Sequence, residues 1–445
     1  MIINNTIRGN SIFGGKLLES RNGRLTTFGV LYISEGIPYG FTSIALVTFL
    51  RQNGLALDQI GLLVATLFIP WTFKFAWAPV IDLIKLNRFG GRKAWILSCQ
   101  VMMILSLLMI SLVDFQSQFN LLLGLLLINN IFCATQDVAI DSLAVTTLKP
   151  DERASGNGFM FGGQYFGIAL GGGAAIYVFG LTNFETALIY ITLLQGLCLM
   201  FTILFVKDPR ASEIQISEPG SFLIKFINKM TSFTKEVYAS FWQSGKAPKI
   251  AFFFSILPTG AMVLGYAALS TIAVDYGFNE TKIAQITTAN TIAAAFGCII
   301  GGLIADRFGL RKMLGIYYVL TVIPTLVLAF YISSVGLSGV PSTVVAGTLI
   351  VHGFLYGMCF GTQAAVFMGI TNPAVAATQF TAFMAMSNLV VSYTNYWQGQ
   401  VAEKFDYAKV LYIDSMLVVI PLLFIPFLKS REESLSIEIK TNTEK

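Results

Sequence analysis

The chain of 445 residues is 55% hydrophobic and only 12% charged, with a net charge of +5 and a mean hydropathy of +0.70. Soluble domains carry about a quarter charged residues, so this composition excludes a cytosolic enzyme, a secreted disulfide scaffold and a disordered protein. It fits a chain whose apolar runs cross a bilayer.

Residues 1–25 are polar and basic and carry no cleavable signal pattern, so the first apolar run is expected to stay as a transmembrane helix. A hydrocarbon core of about 30 Å needs about 20 apolar residues in a helix. Twelve such runs follow, at 26–50, 59–83, 93–113, 119–147, 153–180, 184–206, 249–274, 282–306, 312–333, 342–370, 374–402 and 407–428. Helices are the expected spanning form, because each satisfies its own backbone in lipid. The period-two alternation of barrel strands does not occur in the sequence. The expected architecture is therefore an all-α membrane protein: a segment 1–25, a six-helix bundle 26–206, a linker 207–248, a second six-helix bundle 249–428 and a tail 429–445.

Charge placement gives the orientation. With the N-terminus inside, 24 of the 29 Lys and Arg residues fall in or beside 1–25, 84–92, 148–152, 207–248, 307–311 and 429–445. The positive-inside rule then predicts both termini in the cytoplasm. In the linker, Phe222, Phe226, Met230, Phe233, Val237 and Phe241 recur at three- and four-residue steps, the stripe of an amphipathic helix lying on the inner membrane surface. The two halves also repeat. Arg88-Phe89-Gly90-Gly91-Arg92-Lys93 after the second run is echoed by Arg307-Phe308-Gly309-Leu310-Arg311-Lys312 after the eighth, and Ala134-Thr135-Gln136 by Gly361-Thr362-Gln363. Six plus six helices with a parallel repeat is the plan of transporters whose bundles rock about a central site.

Four ionisable residues sit deep in the first bundle: Glu35, Lys74, Asp137 and Asp141. Each costs about 2.5–3.5 kcal/mol at a helix centre. Counted at 1.5 Å per residue, all four lie in one layer, on the order of 10–15 Å from the inner end. Asp137 and Asp141 are four apart and share a helix face. Two acids so placed cannot both ionise cheaply, which suits a proton-carrying site. Lys74 with either aspartate could equally be a fixed structural pair. Three acids against one base favour a titrating group, and Glu35, beside the Gly36 and Pro38 bend, is the preferred one. The second bundle offers neutral polar and aromatic groups instead. With Tyr39, Gln136 and Gln164 from the first, Tyr266, Gln363, Gln379, Asn388, Asn395, Trp397 and Gln398 are candidates for a substrate cavity. The single histidine, His352, lies in a Gly-rich run and reads as packing. Cys99, Cys133, Cys198, Cys298 and Cys359 lie in apolar runs without CxxC spacing, so neither disulfide nor metal is expected. The Gly162-to-Gly173 run reads as close helix packing.

Asp306-Arg307-Phe308-Gly309-Leu310-Arg311-Lys312 resembles the loop signature of the major facilitator superfamily, an Asp ending a helix followed by Arg, Gly and a basic pair. In the first half an insertion of five residues separates Asp82 from Arg88. Several further stretches resemble the branch of AmpG-type muropeptide permeases and acetyl-CoA transporters. They are Gly36-Ile37-Pro38-Tyr39-Gly40, Lys74-Phe75-Ala76-Trp77-Ala78-Pro79, Gly91-Arg92-Lys93-Ala94-Trp95, Gln136-Asp137 with Asp141, Glu152-Arg153 and Ala377-Thr378-Gln379-Phe380. The resemblance implies that Asp82, Arg88, Arg92 and Lys93, with Asp306, Arg307, Arg311 and Lys312, make the inner contacts that hold an outward-open state. Extra basic residues common in helices four and five of AmpG proteins are replaced here by Ser142-Leu143-Ala144 and Gly163-Gln164-Tyr165.

The expected function is proton-coupled import of a small organic solute across a bacterial inner membrane, with a muropeptide-type fragment preferred over a siderophore or other organic anion. A membrane-embedded transferase would need a nucleophile–base set that one histidine and no Cys–His motif do not supply, so no enzyme activity is expected. The expected partners are the solute, protons and the bilayer, with no nucleic acid, no cofactor and a monomeric state.

Overall fold

The computed structural model describes residues 17–434 and 436, apart from 56, 85, 87–89, 116, 209–221 and 259–266. Every regular element among the described residues is a helix. Ten are long and apolar enough to cross a membrane: α1 (Arg21–Gln52), α3 (Arg92–Ile110), α4 (Phe119–Thr147), α5 (Pro150–Leu181), α6 (Phe184–Phe205), α8 (Thr281–Phe308), α9 (Leu310–Val335), α10 (Ser342–Ile370), α11 (Pro373–Lys404) and α12 (Tyr407–Phe427). The remaining two expected runs are not continuous spans. The second is α2 (Leu57–Phe73), which gives way to a 3-10 turn at Lys74–Ala76 and a short helix Ala78–Leu83 with Pro79 in its first turn. Proline lacks the N–H that would carry a helix through that point. The seventh is a short helix Ala247–Phe254 and α7 (Ala267–Asp275), separated by a stretch that lies partly outside the described residues and includes Tyr266.

Glycine sets the helix spacing in the first half. Ser20 caps α1, accepting from the Gly23 amide at 3.1 Å. Further along, Gly36 and Gly40 face Gly167, Ile168 and Gly172 of α5 backbone to backbone; a Cβ on Gly36 would lie 2.9 Å from the Gly167 Cα. A π-helical turn interrupts each helix, at Phe41–Ala45 and Leu170–Ala174. The same device joins the halves, since a Cβ on Gly302 of α8 would lie 2.8 Å from the Ala154 carbonyl carbon of α5. The Gly-rich run is therefore packing surface.

The cores divide unevenly. One hydrophobic cluster spans both halves, with Phe28, Tyr32 and Phe161 beside Phe367, Phe380 and Phe383. A second, around Phe41, Phe49 and Leu126, draws only on the first half. A third, around Ile272, Leu328 and Leu411, draws only on the second. The halves thus share a core at the end that carries the N-terminal segment, linker and tail, and have separate cores at the far end. Exposed Leu193, Phe330 and Leu423 belong to the apolar outer surface that lipid would cover.

The linker helix Phe222–Trp242 is present, and its C-terminal part packs on the second half. Phe241 is buried against Phe252 and Phe383. Gly90 and Gly309, equivalent in the repeated loops, both take positive φ, 103° and 99°, which disfavours any residue with a Cβ. Leucine at Gly36 is expected to wedge α1 from α5 and cost about 1–3 kcal/mol or more. A thermal melt of the purified variant reads this, and an unchanged midpoint contradicts the close contact.

Candidate functional site

The break after α2 places Lys74 inside the bundle. Its ammonium forms an ion pair with Asp137 of α4 and lies 5.3 Å from the centroid of the Trp71 ring. One turn along α4, Asp141 accepts the Tyr32 hydroxyl of α1. One turn along α1 from Tyr32, Glu35 accepts the Gln164 side-chain amide of α5 through Oε1 at 2.5 Å, while its Oε2 has no hydrogen-bond partner. Glu35 is fully buried and the other three ionisable residues are at most 5% exposed. The three carboxyls and the ammonium act on one another electrostatically. Of the two aspartates, Lys74 pairs with Asp137, and Asp141 has a hydroxyl.

A knot of neutral amides fixes α1 behind this cluster. The Ser34 hydroxyl accepts from Gln136 at 2.8 Å and from Gln100 at 3.2 Å, and the Ser34 carbonyl accepts from Gln195 at 2.7 Å. Three helices therefore hold the residue beside Glu35. Tyr39 packs edge-on against Phe68 and Trp71 at the cluster's margin. Tyr32 and Ser34 were not singled out from the sequence; the Tyr32–Glu35 spacing of one helical turn is the signal that could have found the first.

The second feature is a pair of crosswise caps at the end shared by the halves. Asp82, from the first half, accepts from the Ala377 amide at 3.1 Å and from the Thr378 amide and hydroxyl, each at 2.9 Å, at the start of α11. Asp306, from the second, accepts from the Ala154 and Ser155 amides, each at 2.9 Å, and from the Ser155 hydroxyl, at the start of α5. Each carboxylate thus binds free N–H groups of a helix N-terminus on the opposite half, where the helix dipole favours it. The five-residue insertion after Asp82 leaves this arrangement intact.

The basic residues of the loops turn elsewhere. Arg92 makes no direct ion pair with Asp82, though its charge acts on that carboxyl; it meets Asp208 through its backbone amide at 2.8 Å and its guanidinium at 3.5 Å, and Ser142 through Nε at 2.7 Å. Lys93 donates to the Ile203 carbonyl at 2.7 Å. Asp306 has Arg21 at 3.4 Å as its cation, while Arg307 lies over the Phe308 ring and Lys312 is exposed. Arg88 lies outside the described residues. Arg311 meets Glu433 at 3.0 Å, and Arg153 holds Glu432 by two bonds of 3.0 and 2.7 Å. Two adjacent tail acids thus bind one arginine from each half, a role the sequence reading did not assign. Burial works to raise the Glu432 carboxyl, but the Arg153 guanidinium outweighs it and holds that carboxyl below its usual range. Arg24 and Glu152 form a further buried pair at 2.5 Å.

Other expected cavity residues do not gather with the cluster. Gln363 accepts from Tyr318 at 2.8 Å in the second half. Gln379 lies at the shared end, where it accepts from the Asn372 amide at 2.7 Å and donates to the Ser240 carbonyl of the linker helix at 3.1 Å. Asn388 is exposed, Trp397 packs against the far-end core of the second half, and buried His352 stacks beside Tyr356. Asn395 and Gln398 line a separate cavity at the far end. Among the described residues no group of three His, Cys, Asp or Glu residues could hold a metal ion, and all five cysteines are free and buried.

Removing one partner of a buried ion pair costs about 3–5 kcal/mol, whereas replacing both costs little. Lys74→Met alone is expected to lower the melting temperature sharply, and the double variant Lys74→Met/Asp137→Leu to recover most of it. Equal damage in both contradicts a buried pair. Because the folded Glu432 carboxyl lies below its usual value, its contact is complete above about pH 4.3 and is lost as pH falls through the folded value. Spin labels at Asp151 and Lys312 are expected to keep one distance from pH 8 to pH 5, and to show a longer component in Glu432→Gln at neutral pH. Identical distributions in parent and variant contradict a role for the tail contact.

The profile of the Major Facilitator Superfamily matches residues 28–394. The anhydromuropeptide permease of Escherichia coli K12 is 21% identical over 402 residues, 88% of this chain and 77% of that protein. The fucose:proton symporter FucP of E. coli has a similar fold, with a TM-score of 0.66 at 15% identity over 91% of this chain and 98% of FucP. The proton:xylose symporter XylE gives 0.69 at 14% identity, covering 94% of this chain and all of XylE. With ten apolar spans and a profile match along most of its length, the chain is a multi-pass integral membrane protein and belongs to the Major Facilitator Superfamily.

Proposed function

We propose that this protein is a proton-coupled importer of the bacterial inner membrane, and that Glu35 is the group that loads the proton. The observation that carries the reading is the cluster's charge arithmetic. Three buried carboxyls share one ammonium, Lys74 is taken by Asp137, and the Glu35 carboxyl has no cation bonded to it. Keeping such a group ionised in a low dielectric is costly, so a proton is the cheapest neutralising ligand.

The concentration of Lys and Arg at the shared end supports its assignment to the cytoplasm. On that orientation the crosswise caps hold the transporter closed to the cytoplasm. A proton on Glu35 removes the charge that opposes burial, and cargo binding then favours closing the far end. Opening the shared end requires Asp82 and Asp306 to leave α11 and α5 together. Gln164 bonds Glu35 from the helix that Asp306 caps, which links the proton site to the gate through one rigid element.

The preferred cargo is a muropeptide-type cell-wall fragment. The named E. coli relative supports this choice, and so does the low count of intramembrane cations, which disfavours a strongly anionic solute. Uptake into proteoliposomes holding a pH-sensitive dye tests the proposal. Anhydromuropeptide is expected to drive proton influx in the parent, with loss of at least tenfold in Glu35→Gln. Cargo uptake that ignores the pH gradient and survives Glu35→Gln overturns the coupling. Proton influx with a ferric siderophore but not with the muropeptide keeps the coupling and overturns the cargo.

A further inference from the structure

At the far end of the second half, α7, α11 and α12 enclose a cavity of about 330 Å³ lined by Thr271, Asp275, Asn395, Gln398, Glu403 and Tyr407, among others. It is distant from the charge cluster and the caps: the α-helical part of α11, Ala376–Lys404, begins beside Asp82 and runs 29 residues, about 43 Å. We propose that this cavity is a binding site for the primary ammonium group of an organic solute.

The floor of the cavity presents acceptors. Gln398 is 96% buried, and its Oε1 has no hydrogen-bond partner. Its orientation is fixed by its other end, because Nε2 donates to Asp414 Oδ1 at 3.2 Å. Turning the amide over would set oxygen against carboxylate, so the oxygen is held on the opposite side from Asp414. One turn away on the same helix, Asn395 Oδ1 is also buried without a partner. A buried acceptor left unsatisfied carries a penalty that a bound donor removes.

The mouth supplies charge. Asp275 and Glu403 are exposed and line the cavity with no Lys or Arg among the lining residues. Tyr407 donates to Asp275 Oδ2 at 2.6 Å and fixes that carboxylate at the rim. Lys409, in the first turn of α12, lies 4.7 Å from the Phe405 ring centroid. A primary ammonium has three N–H donors and no acceptor, which matches two neutral oxygens and a carboxylate. The volume falls within the usual range for small organic ligands, about 300–1,000 Å³, and far exceeds that of a bare ion.

The test uses the full chain in lipid nanodiscs, without gradient or transported cargo, so its failure leaves the transport reading standing and failure of the coupling leaves this site standing. Calorimetric titration with n-propylammonium is compared with n-propanol, propionate and sodium ion at constant ionic strength. Saturable binding of propylammonium is expected, at least tenfold tighter than propanol or propionate, with no competition from sodium. Asn395→Leu and Glu403→Gln are each expected to weaken it about tenfold, as loss of an acceptor for a charged donor does. Gln398→Leu strips Asp414 of a donor and can fail to fold, so the argument rests on the other two. Equal binding of propanol makes the cavity an apolar slot, and tight sodium binding makes it an ion site. Either result, no binding at all, or binding unchanged in both variants overturns the proposal.

Discussion

Lys74 places one buried ammonium among the carboxyls of Glu35, Asp137 and Asp141, and the first half is built around that imbalance. The break after α2 exists where Lys74 must turn inward. The amides of Gln100, Gln136 and Gln195 converge on Ser34 and so hold Glu35 at the cluster. Glycine contacts bring α5 close enough for Gln164 to reach the same carboxyl. Each of these features serves to keep charged groups together where water does not solvate them.

The second half has a different chemistry. It supplies neutral polar groups along α10 and α11, and its links to the first half are strongest at the end that carries the termini. There carboxylates bond helix N-termini directionally, beside the hydrophobic core that the two halves share. The tail adds two ion pairs across the same end. A shared core at one end and separate cores at the other is the arrangement expected when one end closes while the other parts.

Much of the frame was legible in the sequence, for physical reasons. Spans follow from the length of apolar runs, and depth counting put Glu35, Lys74, Asp137 and Asp141 in one layer because a helix rises evenly. The loop repeat exposed Asp82 and Asp306 as related positions. Their partners were not legible, because a backbone N–H leaves no mark on the residue that carries it. Gln379 and Gln363 read alike as polar residues in a span, yet one ties a linker to a loop and the other accepts a tyrosine hydroxyl. A side-chain amide in a helix gives no direction by itself. The tail acids Glu432 and Glu433 were hidden among basic neighbours, and the interruptions of the second and seventh runs lie in stretches that, Lys74 and scattered prolines and glycines apart, stay apolar.

The central claim is that the buried cluster holds an exchangeable proton on Glu35. Infrared difference spectroscopy of the protein in lipid, taken between acid and alkaline pH in H₂O and D₂O, reads it directly. The account predicts a protonated-carboxyl band that shifts in D₂O, titrates with pH and disappears in Glu35→Gln, while Asp82→Asn leaves it in place. A spectrum without such a band, or a band unaffected by Glu35→Gln, would contradict it.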